Sequence, residues 1–557
     1  MSTVALPVDY KSSLTREYLR SLAKQWNIIF KSEEEEAAYL LLLQSAEAVH
    51  REIDSQPDFS HPDLEPTATT EPRRFWRPKP QANPLNAWSH RTHIQAAQPL
   101  SSLLQGRKVA IKDNISVGGL PTTVGAFATL LSKDKDAQFP ISPIDATVVK
   151  RVLEAGGIIE GTATCEMYSA APISSTSASG PVHNAWAYGH TSGGSSSGCG
   201  ALMGMNMVDP SQSQSVLGDR ADLAIGGDQG GSIRIPASYN GIYGLKPTHG
   251  LIPYTGTITL TPMIDHLGPM ASTLKDIALM LQALAGYDGI DTRMTPESPL
   301  RSAVPDYPAL LDSVKASEGP KLRVGILKEA FEVPNLSSEV RDSVYNAATQ
   351  FFIAVGATVT EVSIPLHLQG PAIWTAATRT SMSDWSCQLQ TPGFLSYAAP
   401  HVQLRWPPDQ EMHDLLTEKN PSVMNLIFSG AYLKEQSNST QLVAKAHRKV
   451  IELRKAYDDA LAQFDVLITP TTPTVAFPLP ESLPDRIKAA VGIVVNTCSF
   501  NVTGHPAMSV PCGFGGEEKK LPIGMQIISK RWREETILRA AALFEMGREV
   551  SSSRSKL

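Results

Sequence analysis

Residues 191–236 constrain this chain more than any other stretch, because they set two glycine–serine loops directly against apolar sequence. The stretch opens with Thr191-Ser192-Gly193-Gly194-Ser195-Ser196-Ser197-Gly198 and closes with Gly226-Gly227-Asp228-Gln229-Gly230-Gly231-Ser232-Ile233-Arg234. Between them stands the short apolar run Ala221-Asp222-Leu223-Ala224-Ile225. Glycine admits positive φ and close backbone approach, so such loops can turn several N–H groups toward one point. The serines offer hydroxyl nucleophiles, and the N–H groups offer a place for a developing oxyanion. Gly/Ser-rich segments are in general flexible surface loops. Here both loops abut apolar segments, where a mere linker would be embedded in polar sequence.

Three familiar patterns fail on context. Residues 194–198 fit the G-x-S-x-G nucleophile elbow centred on Ser196, but residues 185–190 make a poor buried strand to precede it. Gly226 to Gly231 have the wrong offsets for a dinucleotide fingerprint. Val109-Ala110-Ile111-Lys112 spells the kinase lysine strand without the other kinase motifs. That lysine matters for another reason. Lys112 ends an apolar β-type run, and a lysine at the end of a buried strand is desolvated, which lowers its pKa and frees its amine as a general base. A surface lysine snorkelling past a strand end is the plainer alternative.

Together, Lys112, Ser195 and Ser232 resemble the Ser–cis-Ser–Lys triad of the amidase signature family. Residues 227–237 and 241–248 resemble that family's signature nearly word for word, and Asp265-His266-Leu267-Gly268-Pro269-Met270 and Leu467-Ile468-Thr469-Pro470 also fit. So do Asn501-Val502-Thr503-Gly504-His505-Pro506 and Leu521-Pro522-Ile523-Gly524-Met525-Gln526, so that the likeness covers roughly residues 83–547 in family order. The resemblance implies Ser232 as nucleophile, Ser195 as bridging serine after a cis peptide, and Lys112 as ultimate base. It also implies an oxyanion hole from the N–H groups of Gln229, Gly230, Gly231 and Ser232, with Asp228 and Arg234 as structural support. The activity implied is hydrolysis of a carboxylic amide, in the first place a primary one, through an acyl-enzyme, with no cofactor and no metal. Alternatives are a hydrolase of N-substituted amides in specialised metabolism and an amidotransferase-type subunit.

Composition narrows the partners. The chain has 557 residues, 42% hydrophobic and 19% charged, which is a soluble globular composition with room for a large core. A net charge of -6 gives no basic field for nucleic acid or an anionic membrane. Cys165, Cys199, Cys387, Cys498 and Cys512 form no C-x-x-C and no pairing framework, as suits a reducing compartment. Near the start there is no signal-peptide pattern, and residues 40–43 are too short an apolar run to span a bilayer. Ser555-Lys556-Leu557 form the S-K-L address. The expected location is therefore peroxisomal, otherwise cytoplasmic, with an import receptor as partner beside the small-molecule amide.

Residues 12–54 read as two helices, with Ser32 and Glu35 as a capping box and an apolar face at residues 37–43 that calls for a partner. Further on, residues 108–111, 146–155, 157–162 and 322–326 alternate strand and helix, which predicts α/β with a central sheet covered by helices. The resemblance makes it the amidase signature fold: a central mixed β-sheet covered on both faces by helices, with an N-terminal helical extension. That extension is similar to the longer, nitrile-metabolism-type members, in which it helps form a homodimer; folding back on its own domain is the alternative. The expected organisation is residues 1–82 as helical region and Pro-rich linker, 83–548 as catalytic domain, and 549–557 as a flexible tail. Residues 295–320 and 366–440, with Trp374, Trp385 and Trp406, are the least regular; the resemblance implies that they help wall the substrate pocket, and aromatic residues packed as core are the alternative.

Two departures from the family pattern stand out. Ser232 lies 37 positions after Ser195, and the extra residues fall near 206–220, a polar stretch expected to loop out and leave both serines in place. Asn240 stands where many relatives carry cysteine. A Cys165-Glu166 nucleophile pair is disfavoured, since adjacent strand residues face opposite ways. His249, His266 and His505 sit in motifs the family uses structurally and receive no catalytic role.

Overall fold

The computed structural model describes residues 10–132, 138–209, 216–389, 395–517 and 520–554, and the chain divides into two units, Met1–Pro62 and Asp63–Leu557. The smaller unit holds α1 (Arg16–Lys24) and α2 (Glu33–Asp54). Ser32 caps α2 by accepting the Glu35 N–H at 3.1 Å, as the sequence predicts; the return bond from Glu35 goes to the Lys31 N–H, one residue earlier than a capping box requires. Arg20 joins the helices through the buried Glu36 carboxylate, with Nη2 to Oε2 at 2.8 Å. Of the apolar run, Tyr39, Leu41 and Leu42 are exposed.

The larger unit is built on one mixed twelve-stranded sheet. Its strands are β1 (Phe75–Trp76), β2 (Trp88–Gln95), β3 (Lys108–Lys112), β4 (Ile158–Ala163), β5 (Leu223–Gly227) and β6 (Tyr243–Lys246), then β7 (Leu267–Ala271), β8 (Arg323–Leu327), β9 (Thr358–Val362), β10 (Val466–Pro470), β11 (Ala507–Gly515) and β12 (Leu521–Ile528). Their spatial order is β1-β2-β4-β3-β5-β7-β6-β11-β12-β10-β8-β9. Parallel pairs occur at β4–β3–β5 and at β10–β8–β9, and the other neighbours run antiparallel. The expected strands and helix at residues 108–111, 146–155, 157–162 and 322–326 are β3, α3 (Thr147–Glu154), β4 and β8, each within a residue or so of its predicted limits.

Side-chain size alternates across the centre of the sheet and dictates what covers each face. Val109, Ile111, Leu223 and Ile225 face one way, into a core shared with α3 and the helices Leu274–Leu284 and Glu534–Arg554. Ala110 and Ala224 face the other way, toward α4 (Ser197–Gly204). Small residues let this helix lie close: a Cβ on Gly198 would sit 2.2 Å from the Ala87 carbonyl. By the two-residue strand period, Lys112 shares the face of Ala110. The lysine therefore points to the helix that begins just after Ser195.

Three boundaries differ from expectation. Residues 63–82 belong to the larger unit, not to an N-terminal region ending at 82: Arg73 pairs with the buried Asp145 carboxylate at 2.6 Å, and β1 pairs with β2. Residues 366–440 are largely helical (Gly370–Gln388, Gln410–Lys419, Pro421–Glu435) rather than irregular. The C-terminal helix continues to Arg554, through the start of the expected tail at 549, and Ser555-Lys556-Leu557 lie outside the described residues. Among the described residues, no helix is long and apolar enough to cross a membrane.

Candidate active site

Strands β3 and β5 run parallel, with Val109 opposite Leu223, Ala110 opposite Ala224 and Ile111 opposite Ile225. Their carboxyl ends thus come out side by side, at the edge of an α/β sheet where ligands characteristically bind. Lys112 ends β3 and is fully buried. Its Nζ donates to Ser195 Oγ at 2.8 Å and to the Gly227 carbonyl at 3.4 Å. Burial pushes this amine below its ordinary pKa, against the opposing influence of Cys165, Cys199, Asp228 and Glu166. The lysine is a core residue at a strand end, not a snorkelling one.

The loop before α4 is locked from several sides. The Gly194–Ser195 peptide is cis, as the resemblance implies. The Ser195 carbonyl accepts the Glu166 N–H at 3.1 Å, and the Ser196 N–H reaches the Ser232 carbonyl at 3.3 Å. Ser196 Oγ accepts the Gly227 N–H at 3.2 Å and faces the Gly227 carbonyl at 3.1 Å. The hydroxyl at the centre of the elbow-like pattern therefore ties the loop to β5, and it is buried. Glu166 receives Ser197 Oγ at 2.7 Å and the Thr176 N–H at 2.6 Å, while burial raises its carboxyl to about 7. Burial also pushes the Cys165 thiol well above its ordinary value, so the Cys165-Glu166 pair has the character of packing rather than of a nucleophile and its base.

The second loop, between β5 and α5 (Arg234–Asn240), is organised by one ion pair. Asp228 and Arg234 are completely buried and meet at 2.9 Å through both Nε and Nη2. Arg234 Nη1 also donates to the Thr497 carbonyl and Gln526 Oε1, and Nη2 to Asn501 Oδ1. Burial pushes the Asp228 carboxyl up, but Arg234, Asn501 and Lys246 together hold it well below the carboxylate range. The charged Asp228 accepts the N–H groups of Gly231 at 2.7 Å and Ile233 at 3.1 Å, drawing the loop into a tight coil. Asp228 and Arg234 thus hold the loop from within. One expectation is corrected: the Gly231 N–H is committed to Asp228 and is not open to an oxyanion. The N–H groups of Gln229, Gly230 and Ser232 have no acceptor among the described residues.

Ser232 keeps 9% of its surface accessible, whereas Ser195 and Lys112 keep none. Of the three residues, Ser232 is thus the one with surface open to a small molecule, and Lys112 and Ser195 lie behind it. Around Ser232, distant segments supply the walls. Trp374, half-buried on the helix Gly370–Gln388, donates Nε1 to the Gln229 carbonyl at 3.0 Å. Thr497 Oγ1 donates to the Gly230 carbonyl at 2.5 Å, and Gln229 Nε2 to Tyr254 Oη at 2.8 Å. Trp385, by contrast, is core. Thr497 and Tyr254 carry no recognisable local signal in the sequence, since only the fold brings them here.

The remaining expectations resolve locally. Asn206 Nδ2 holds the Ala221 carbonyl at 2.8 Å, so the two flanks of the extra segment stay together; residues 210–215 lie outside the described residues. Asn240 Nδ2 donates to the carbonyls of Ser192 and Pro236 and to Ser192 Oγ, bracing the first loop against α5. His249 and His266 face the carbonyls of Pro262 and Ile264, and His505 contacts Thr503 and Asp458. Among the described residues, no cluster of His, Cys, Asp or Glu is disposed to hold a metal ion.

Known proteins share this architecture. The family model described as Amidase matches residues 85–538. The enantioselective amidase of Rhodococcus rhodochrous is 38% identical over 490 residues, covering 86% of each chain. A glutamyl-tRNA(Gln) amidotransferase subunit of Methanosarcina mazei is 31% identical over 459 residues, covering 81% of this chain and 86% of that one. A peptide amidase crystallised with the competitive inhibitor chymostatin superposes with a TM-score of 0.57 at 26% identity, covering 80% of this chain and 83% of that one. With the motifs in order, the shared fold and a family match across most of its length, the chain belongs to the amidase signature family of amidohydrolases.

Proposed function

We propose that the protein hydrolyses a carboxylic amide, in the first place a primary amide, to acid and ammonia through an acyl-enzyme on Ser232. The observation that carries this reading is the buried Lys112 Nζ, 2.8 Å from Ser195 Oγ on the face of the sheet that adjoins the Ser232 loop. With the amine neutral, the same contact places the Ser195 hydroxyl proton on the nitrogen lone pair. Ser195 then takes the Ser232 proton as Ser232 Oγ attacks the amide carbonyl. The open N–H groups of Gln229, Gly230 and Ser232 supply donors for the tetrahedral oxyanion. The relay in reverse protonates the departing nitrogen, and water repeats the route to release the acid. The enantioselective amidase relative supports a self-sufficient hydrolase.

The test is ammonia release by the purified protein across a panel of primary amides, with Ser232→Ala as control and fluorophosphonate adduct mass as the readout of the nucleophile. Release that vanishes in the variant, with the adduct on Ser232 of the unmodified protein, is the expected result. Release undiminished in Ser232→Ala refutes the reading. A second reading draws on the amidotransferase relative: glutamine hydrolysis confined to a complex with partner chains would favour a role as one component of such a complex.

A further inference from the structure

Every carbonyl along the Ser232 loop is anchored. The Asp228 carbonyl accepts Asn501 Nδ2 at 2.9 Å, that of Gln229 accepts Trp374 Nε1 at 3.0 Å, and that of Gly230 accepts Thr497 Oγ1 at 2.5 Å. The Gly231 carbonyl accepts the Ile235 N–H at 2.7 Å. These peptides are trans, and in a trans peptide the C=O and the N–H of the following residue point in opposite directions. Holding each carbonyl from one side therefore aims the next N–H out of the other side. The 228–229, 229–230 and 231–232 peptides present the N–H groups of Gln229, Gly230 and Ser232, and the 230–231 peptide gives its N–H to Asp228.

The anchors are not equivalent. Asn501 and Thr497 are interlocked with Arg234, which donates to Asn501 Oδ1 at 2.8 Å and to the Thr497 carbonyl at 2.9 Å. Ile235 is part of the helix that the loop leads into. The 229–230 peptide has a different support: among the described residues, its carbonyl is held by the indole of Trp374. That indole comes from the helix Gly370–Gln388, outside the ion-pair network. Its ring also lies against Gly230, where an added Cβ would meet Cζ2 at 3.4 Å.

We propose that Trp374 is a positioning residue for the reaction: its indole N–H sets the plane of the 229–230 peptide and so aims the Gly230 N–H at the oxyanion. The inference rests on Ser232 being the nucleophile. Deleting an oxyanion donor outright lowers kcat by ~10²–10³; releasing one anchor behind a donor lowers it less, by about 10–100-fold on the same scale. Because the oxyanion exists only in the tetrahedral state, the loss falls on kcat and leaves KM nearly unchanged.

The experiment compares the unmodified protein with Trp374→Phe, which keeps an aromatic ring and removes the donor. Site-specific 3-benzothienylalanine at position 374, a closer isostere lacking the N–H, replaces it if Trp374→Phe does not fold. The substrate is the fastest amide of a panel running from acetamide to phenylacetamide and benzamide, and the tetrahedral mimic is the boronic acid of the same skeleton. The expected result is a kcat lowered about 10–100-fold, KM within about twofold, and boronate affinity lowered in step with kcat. A kcat within about twofold of the unmodified protein, or a loss confined to KM, overturns the proposal and leaves Trp374 as a pocket wall. Fluorophosphonate labelling separates the two levels. An adduct on Ser232 in both proteins means that such a failure belongs to Trp374 alone, whereas full activity in Ser232→Ala overturns the underlying reading and this inference with it.

Discussion

Replacing Lys112 by methionine tests whether the buried amine is neutral in the folded protein. Lys112 has no accessible surface, its Nζ has two oxygen partners, and burial lowers its pKa. A lysine depressed in this way binds fewer protons in the native state than in the unfolded chain at every pH between the two pKa values. Native stability then rises with pH across that window, and the penalty is absent above the unfolded value of ~10.4. Methionine, of similar length and never charged, carries no such term. As pH falls below 10, Lys112→Met should gain on the unmodified protein by about 1.4 kcal/mol per pH unit, until the native pKa is reached and the gap becomes constant. Unfolding entropy near ~2.1 cal/mol/K per residue gives a unit of about 500 residues roughly 1 kcal/mol/K, so the Tm difference should widen by about 1 °C per pH unit. Scanning calorimetry in matched buffers from pH 6 to 10 reads this slope, and ammonia release reads activity, which should fall by at least ~10²–10⁴. A Tm difference that stays flat from pH 7 to 10 would mean that the lysine is protonated in the fold, and the general-base assignment would be refuted.

Arg234→Met should leave the Asp228 carboxylate buried without its cation and lower stability by about 3–5 kcal/mol, measured by chemical denaturation; an unchanged midpoint would contradict the bracing role. Ser196→Ala should retain kcat within about tenfold while losing about 1–3 kcal/mol of stability, because its hydroxyl serves the Gly227 backbone. Abolished activity in a folded Ser196→Ala protein would return that serine to the chemistry. Iodoacetamide at pH 8 should leave activity intact, since all five cysteines are buried and burial raises Cys199, Cys498 and Cys512 to about 12 and Cys387 to about 11. Inactivation in step with modification would revive a thiol nucleophile.

How much was legible depended on whether the signal was local. The apolar run ending in Lys112 predicts a buried strand with a desolvated amine, since alternation and hydrophobicity act over a few residues, and β3 has that form. Ser32 announces the start of α2 because capping is a contact between near neighbours. The limits of the larger unit were not legible: Arg73 lies in a proline-rich stretch, and its attachment to Asp145 joins residues 72 positions apart. Residues 366–440 looked irregular because their helices pack on one another and on the site, and carry no sharp amphipathic stripe.

Sequence by itself determined the chemical inventory: a strand-end lysine, two serine-bearing glycine loops, and an acid–arginine pair six residues apart in Asp228 and Arg234. It also determined the family, because motif order survives in one dimension. Tertiary structure decided which donors stay open. The Gly231 N–H and the Gly230 N–H are adjacent and look identical in sequence, yet one is bound to Asp228 while the other has no acceptor among the described residues. That difference comes from Trp374, Thr497 and Asn501, brought to the loop from well over a hundred residues away. A hydrogen bond to a peptide carbonyl selects the direction of the N–H on its other side, and only the folded chain places those partners.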